Sequence, residues 1–142
     1  MSQENIDVIQ RGGRAFNEGD IEAMVELAHP EIEIKVIGGF AGVVGESSFS
    51  GHAGLRRYYM DLFATFETIR VDFEKFIEAG EQLVSLSRLK ATVAGSPTPV
   101  ELLGAFVWGF KEGKVVQQDG YYERREAFEA VGLSEEDAHA DS

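Results

Sequence analysis

The sequence predicts an α+β fold in which a curved, mostly antiparallel sheet wraps around helices. In chain order, the segments with helical spacing or two-residue alternation run helix, helix, strand, helix and then four strands in hairpins. Helices that precede a run of hairpin-connected strands bury their apolar faces against one side of the resulting sheet. No internal repeat is visible, so one such unit accounts for the chain.

The strongest local signal lies between Val100 and Phe128, where two runs of β-branched and aromatic residues flank Lys111-Glu112-Gly113. Gly113 can adopt the positive φ that a tight hairpin turn requires. The first run has two apolar faces, one with Leu102, Gly104, Phe106, Trp108 and Phe110 and the other with Leu103, Ala105 and Val107. A strand that is apolar on both faces lies inside a covered sheet, so we expect helices on one side and a second subunit on the other.

The second run of this hairpin carries polar residues among apolar ones. Alternation places Val116, Gln118, Gly120 and Tyr122 on one face and Val115, Gln117, Asp119 and Tyr121 on the other. With the aromatic face concave, Gln118 and Tyr122 stand beside Trp108 as polar groups in an apolar wall. This arrangement is typical of a small-molecule pocket.

The first part of the chain predicts two helices and a strand. The helices cover residues 4–18 and Ile21 to Ala28, with Gly19 and Asp20 between them as C-terminal and N-cap residues. Gly12-Gly13 inside the first helix costs about 1 kcal/mol per glycine relative to alanine. The pair indicates either close packing on the sheet or space left for a ligand. Residues 31–37 alternate as a half-buried strand.

The segment from Gly38 to Gly51 breaks the alternation. It combines five glycines with the apolar residues Phe40, Val43, Val44 and Phe49. Apolar residues on a glycine-rich loop need a surface to lie on, which a pocket, a second subunit or the body of the same domain could provide.

The middle of the chain predicts a third helix and two strands. The amphipathic helix covers residues 52–67 with Tyr59 on its apolar face, and the strands cover residues 69–78 and 82–94. In the second strand Arg88 shares a face with Val84 and Leu86, so it either projects toward Trp108 or lies on a solvated face. A short helix over residues 125–131 then ends at Gly132.

Composition bounds the function classes. We expect a single domain over residues 1–133 and an acidic tail, residues 134–142, that is too polar to pack. A net charge of -12 disfavours nucleic acids and anionic membranes as partners. Without cysteine, and with three scattered histidines, the chain shows no metal-ligand spacing, and we expect no metal and no cofactor. The sequence shows neither a signal peptide nor an apolar run of membrane length, which predicts a cytoplasmic protein.

Three segments, AFNEGDIEAMVELAHPEIEI, GHAGLRRYYMDLF and FVWGFKEGKVVQQDGYYERREAFEAVGL, resemble the SnoaL-like branch of the nuclear-transport-factor-2-like superfamily. The resemblance extends over nearly the whole chain up to Leu133 and implies a cystatin-like cone with a pocket. The superfamily includes ketosteroid isomerases, polyketide cyclases, limonene epoxide hydrolases, scytalone dehydratases and non-catalytic binding modules. The resemblance therefore implies a pocket and leaves its chemistry open.

The residues that carry the ketosteroid isomerase reaction are not matched. That reaction needs a carboxylate base and two donors to a developing enolate. By gapless count the base position holds Val36 and the donor positions hold Gly12 and Phe106, none of which can transfer or donate a proton. The tyrosine that this family carries in its third helix is matched by Tyr59.

The other activities of the superfamily are matched only in part. The Arg-x-Asp pair of the epoxide hydrolases falls on Arg88-Leu89-Lys90, and their last acid falls on Gly120. SnoaL-type cyclases use an aspartate in a late strand, for which Asp119 is the nearby candidate. Alternation turns Asp119 away from Trp108 unless a bulge re-aims it. Asp119 and Arg88 are thus the candidate catalytic residues.

Two functions remain open from the sequence. The first is a homodimer that binds a small, mostly apolar molecule, with isomerase-, cyclase- or hydrolase-type acid/base activity as an open question. The second is a non-catalytic dimerisation or ligand-carrier module, which the missing acids and the apolar outer face favour. The predicted ligand pocket consists of Val36, Tyr59, Arg88, Phe106, Trp108, Gln118 and Tyr122.

Overall fold

A computed structural model gives the architecture of the chain and describes residues 2–37 and 48–134. Within these ranges the elements are α1 (Ser2–Glu18), α2 (Ile21–Leu27), β1 (Ala28–Ile37), β2 (Ser48–Ser50), α3 (Gly51–Thr65), β3 (Phe66–Ala79), β4 (Gln82–Val93), β5 (Val100–Lys111), β6 (Lys114–Tyr121) and α4 (Arg124–Ala130). No helix in these ranges is long and apolar enough to span a membrane.

The six strands form one curved, unclosed sheet in the order β2-β1-β6-β5-β4-β3. Neighbouring strands are antiparallel except β1 and β6, which run parallel. β5 is paired on both edges, as its two apolar faces predict. The predicted α+β fold with a curved, mostly antiparallel sheet is confirmed.

Local signals fix several element ends. Asp20 caps α2 by accepting a hydrogen bond from the backbone N–H of Ala23 at 3.1 Å. Gly113 has φ 77° in the β5–β6 turn, as that turn requires. α2 ends at Leu27, and β1 begins at Ala28, earlier than the alternation indicates.

The predicted loop between the first strand and the third helix is partly wrong, since Ser48–Ser50 pairs with β1 as strand β2. Phe49 is buried in this short strand. Phe40, Val43 and Val44 lie outside the described residues, as does the predicted tail beyond Ser134.

The inner face of the sheet packs against α1, α2 and α3 and forms the main core. α1 is also fixed to the sheet edge at β3. The side-chain amide of Asn17 donates to the carbonyl oxygen of Val71 at 3.0 Å, and its oxygen accepts from the Val71 N–H at 2.8 Å. The Asn17 side chain thus satisfies the N–H and the carbonyl of Val71, which a neighbouring strand would otherwise bond.

The outer face of the sheet is partly covered by the chain's own C-terminal helix. Ala105 and Val107 are buried against Ala127 and Phe128 of α4 in a second apolar cluster. The expectation that helices of one chain leave this face bare is therefore wrong for the part beneath α4. Leu103, further along β5, remains 48% exposed.

Candidate functional site

A cavity of about 80 Å³ lies between the inner face of the sheet and the helices α1, α2 and α3. Its walls are mostly aliphatic and aromatic. They include Val8, Ile9, Phe16, Met24, Leu27, Ile32, Ile34, Val36, Leu55, Leu62, Ile69, Val71, Phe73, Leu89, Phe106, Trp108 and Val115. Such a lining favours apolar molecules, because burial of apolar surface is the main attractive contribution there.

Two phenylalanine rings occupy space that glycines leave open. A Cβ built on Gly13 of α1 would lie 2.6 Å from Cε2 of Phe73 on β3. A Cβ on Gly120 of β6 would lie 3.1 Å from Cε1 of Phe106 on β5. These four residues all line the cavity, so both glycines shape its walls by admitting an aromatic ring.

The neighbouring Gly12 fits the second interpretation of the glycine pair, that glycine leaves space for a ligand. A Cβ built there would meet only Cδ1 of Leu27, at 3.8 Å, and both residues line the cavity. Gly13 therefore serves close packing on the sheet, whereas Gly12 leaves open space inside the cavity.

Apart from the exposed Lys35, the polar side chains among the lining residues lie close together. Nε2 of Gln118 donates a hydrogen bond of 2.8 Å to the hydroxyl oxygen of Tyr59, and both side chains are buried. Burial raises the pKa of Tyr59 to about 12, and the hydrogen bond from Gln118 only partly opposes this shift. Burial also raises the pKa of the adjacent Tyr58, whose ring centroid lies 4.8 Å from that of Tyr59. At neutral pH both phenols are protonated.

Trp108 presents its ring to the cavity and directs its N–H elsewhere. The indole N–H donates to Oγ of Ser85 at 2.9 Å, and Ser85 is fully buried on β4. The ring centroid lies 5.4 Å from that of Phe106. Trp108 therefore contributes apolar surface and no free hydrogen-bond donor to the cavity.

Five of the seven predicted pocket residues line this cavity: Val36, Tyr59, Phe106, Trp108 and Gln118. They come from β1, α3, β5 and β6, and the sheet brings them together through the pairing of Trp108 with Gln118 and of Val36 with Gly120.

The structure places Arg88 on the opposite face of the sheet. Trp108 pairs with Leu83 on β4, so the odd-numbered residues of that strand share its face and Arg88 does not. The guanidinium of Arg88 instead contacts Glu74 at 3.0 Å and Glu101. Of the two alternatives for Arg88, the one that projects it toward Trp108 is wrong, and Arg88 does not line the cavity as the predicted pocket had it.

Asp119 also lies away from the cavity, as the alternation indicates. It pairs with Val107, whose side chain is on the outer face, and its carboxylate accepts from Nε2 of Gln117 at 2.8 Å. A bulge does occur in β6, but it lies between the pairs Gly109–Gln117 and Phe110–Val115. It moves Val115 into the cavity wall and leaves Asp119 outside.

Tyr122 does not line the cavity either. β6 ends at Tyr121, where the chain leaves the sheet toward α4, so the alternation of the strand no longer applies to Tyr122. The residue is 43% exposed, and its backbone N–H donates to the carbonyl oxygen of Ile37 at 3.2 Å.

Several wall residues from α1, α2 and β3 were not predicted from the sequence, among them Met24, Ile69 and Phe73. Nothing local in the sequence distinguishes a core contact from a cavity wall. The one available signal was Gly12-Gly13, which indicated an unusual requirement on α1.

The positions that correspond to the isomerase acid and donors by count, namely Val36, Gly12 and Phe106, all line the cavity. None of them can transfer a proton. The lining residues in the described ranges include no Asp, Glu or His. Over the same ranges no group of three or more His, Cys, Asp or Glu could hold a metal ion.

Two histidines near the start of β1 make local contacts. Nδ1 of His29 accepts from the N–H of Glu31 at 3.0 Å. Nε2 of His52 donates to the carbonyl of Ala28 at 2.9 Å. The first contact lies within β1, and the second joins α3 to β1; neither histidine lines the cavity.

The sequence matches the family model of the SnoaL-like domain over residues 9–118. A comparison with curated proteins finds no significant match.

Solved structures share the fold at low sequence identity. TerC, co-crystallised with polyporic acid, superposes with a TM-score of 0.76 at 22% identity, covering 91% of this chain and 98% of its own. An NTF2-like protein of unknown function from Burkholderia pseudomallei has a TM-score of 0.76 at 19% identity, covering 90% and 97%. Rv0760c from Mycobacterium tuberculosis, in complex with estradiol-17beta-hemisuccinate, has a TM-score of 0.70 at 18% identity, covering 84% and 94%.

Proposed function

The chain belongs to the SnoaL-like domain family, and from this membership and its cavity we propose that it binds a small, neutral, mostly apolar molecule. One observation carries the proposal: among the described side chains, the cavity wall is apolar except for the Tyr59–Gln118 pair, Tyr58 and Lys35. Lys35 is exposed between the buried Ile34 and Val36 on β1, so alternation directs its charge away from the cavity. A buried charge without a partner is costly, so this wall favours neutral ligands over ionised ones. Two structural relatives were crystallised with small organic molecules, which supports a binding role.

Binding is the activity that the described side chains support best. Phenols with raised pKa values can donate hydrogen bonds at neutral pH, but they are poor bases there. Isomerase-, cyclase- or hydrolase-type turnover therefore stays a prediction that requires a base from elsewhere. A non-catalytic ligand carrier is the alternative, and the apolar residues Val36 and Phe106 at the acid positions favour it.

We also propose that the protein is a cytoplasmic homodimer that does not bind nucleic acid. Its net charge of -12 would repel phosphate groups. The exposed Leu103 on the outer face of β5 offers an apolar contact for a second copy.

The binding proposal is tested with indane and the anion of indane-2-carboxylic acid, which share a ring system and differ in charge. Trp108 lines the cavity, so its fluorescence should change in a saturable way with indane. The carboxylate should give no saturable change at the same concentrations, because its charge would lose hydration without gaining a partner. Equal responses to the two probes would contradict a neutral, apolar site.

A variant that fills the cavity provides a control on location. Gly12→Leu adds a side chain where the structure leaves open space, and leucine is a better helix former than glycine. It should abolish the indane response while the far-UV circular dichroism is retained. The matched variant Gln10→Leu adds the same side chain at an exposed position of α1 and should leave the response unchanged. An indane response that survives Gly12→Leu would place binding elsewhere.

A further inference from the structure

The hydroxyl of Tyr59 is held in a defined hydrogen-bonding role. Its oxygen accepts an N–H of Gln118 at 2.8 Å, so its own proton must point in another direction. Across residues 2–37 and 48–134, this hydroxyl has no other hydrogen-bond partner than Gln118. The O–H is therefore a donor whose acceptor is not supplied by the described part of the chain.

The surroundings make this donor valuable to a ligand. Tyr59 and Gln118 are 8% and 6% exposed and both line the cavity. The pKa of Tyr59, raised to about 12 by burial, keeps the phenol protonated. A buried donor without an acceptor is unfavourable, so a ligand that supplies an acceptor gains a full hydrogen bond. The N–H of Trp108, which could otherwise compete, is already bonded to Ser85.

Gln118 contributes more than a neighbouring polar surface. Because the amide N–H of Gln118 donates to the hydroxyl oxygen of Tyr59, the O–H of Tyr59 cannot point toward Gln118. A hydroxyl that accepts one hydrogen bond also donates a stronger one, because the two bonds polarise each other.

We infer that the cavity selects ligands with a hydrogen-bond acceptor oxygen, such as a ketone or ester carbonyl, which receives the O–H of Tyr59, and that Gln118 is the positioning residue for this donor. The inference rests on the proposed function, since it specifies the chemistry of a ligand in the same cavity. It predicts selectivity between molecules of equal shape that differ in one oxygen.

The experiment compares 1-indanone with indane, which have the same bicyclic frame and differ by one carbonyl. Dissociation constants come from Trp108 fluorescence or isothermal titration calorimetry. A single hydrogen bond to a carbonyl should make 1-indanone bind about tenfold more tightly than indane. The infrared carbonyl stretch of bound 1-indanone should lie below its value in an apolar solvent, because hydrogen bonding weakens the C=O bond.

Three variants assign the contact. Tyr59→Phe should remove the preference for the ketone and the infrared shift, while indane still binds to within about twofold because the aromatic wall remains. Gln118→Leu should leave a smaller infrared shift than the unaltered protein, since the O–H is no longer oriented or polarised. Tyr58→Phe tests the neighbouring phenol, and an effect confined to this variant would assign the contact to Tyr58 and overturn the inference.

The remaining outcomes separate the inference from the proposed function. If indane and 1-indanone bind equally well, or if the preference survives Tyr59→Phe, the inference is wrong and the apolar cavity still binds ligands. If Gln118→Leu alone removes the infrared shift, Gln118 is the direct donor and the assigned roles are wrong. If neither probe binds at millimolar concentration, the proposed function fails and the inference falls with it.

Discussion

At the scale of residues, the two adjacent glycines of α1 differ in what surrounds them. Gly13 leaves room for the edge of the Phe73 ring, and Gly12 faces open space near Leu27. A helix gains about 1 kcal/mol when an interior glycine becomes alanine. Overpacking against a ring costs about 1 to 3 kcal/mol. The surroundings of each glycine therefore decide whether its replacement by alanine raises or lowers the free energy of unfolding.

We predict that Gly13→Ala lowers the free energy of unfolding, because its Cβ would lie 2.6 Å from Cε2 of Phe73 and the ring must shift. Gly12→Ala should raise it by about 1 kcal/mol, since its Cβ would make only an ordinary contact at 3.8 Å. Urea titrations of both variants check the two signs.

The coupling between Gly13 and Phe73 is checked in a Phe73→Ala background. There the ring is absent, so Gly13→Ala should become stabilising by up to about 1 kcal/mol. If Gly13→Ala has the same effect with and without the ring, the contact with Phe73 is not what requires glycine at this position.

Residue positions on the sheet were only partly predictable from alternation. Phe106 and Trp108 share a face as the alternation of β5 predicts. Gln118 joins them only through the bulge, because counting from the Lys111–Lys114 pair without it would pair Trp108 with Gln117. The face of Arg88 relative to Trp108 stayed open from the sequence, because no short-range signal relates the alternation of β4 to that of β5. The bulge beside Val115 is likewise invisible in the alternation.

At the scale of elements, one arginine of α4 adds polar contacts with the sheet to the apolar packing of Ala127 and Phe128. Arg124 donates to the carbonyl oxygens of Gly104 at 3.2 Å and Ser87 at 3.0 Å, and to the carboxylate of Glu74 at 2.6 Å. The carboxylate of Glu74 also accepts a hydrogen bond from Nη2 of Arg88 at 3.0 Å. Hydrogen bonds from Arg124 and then Arg88 lower the pKa of Glu74 below 4.5. This carboxylate thus connects β3, β4 and α4.

The lowered pKa of Glu74 predicts a dependence of stability on pH. Because the folded-state pKa lies below the unfolded value of 4.5, the stabilisation is present above that pH and is lost as the pH falls through the folded pKa. Glu74→Gln should reduce the free energy of unfolding at pH 7 by up to about 1 kcal/mol, a small value because the pair is partly exposed. The difference from the unaltered protein should shrink below pH 4.5.

Urea unfolding of both proteins across this pH range checks the prediction. Glu129→Gln is the matched control, since Glu129 lies on α4 and makes no ion pair within the described residues. A difference between Glu74→Gln and the unaltered protein that is constant with pH would show that the charge of Glu74 is not what holds the helix.

The elements themselves were largely predictable, and their long-range partners were not. Turn and cap residues such as Gly19, Asp20 and Gly113 act locally, so their signals are present in the sequence. The parallel pairing of β1 with β6 joins segments about 80 residues apart along the chain and depends on the closing of the whole sheet. The docking of α4 on the outer face also depends on contacts with distant strands.

At the scale of the whole molecule, the sheet separates two apolar surfaces with different exposure. The inner surface surrounds the cavity, and the outer surface is covered by α4 only in part. The inner surface is buried without a partner chain, because α1, α2 and α3 belong to the same chain. The uncovered end of the second, around Leu103 on the central strand β5, is where association between copies would bury further apolar area.

We predict that the protein sediments as a homodimer, with twice the monomer mass of 15.6 kDa, at micromolar concentration. Leu103→Glu should shift it toward the monomer, because a symmetric interface would bring the two charges close together in an apolar contact. Met60→Glu is the matched control: Met60 is 61% exposed on α3, so an equal change of charge there should leave the dimer intact. Sedimentation velocity measures all three proteins. A monomer of 15.6 kDa without any substitution would contradict the dimer, and equal dissociation by both variants would contradict an interface at Leu103.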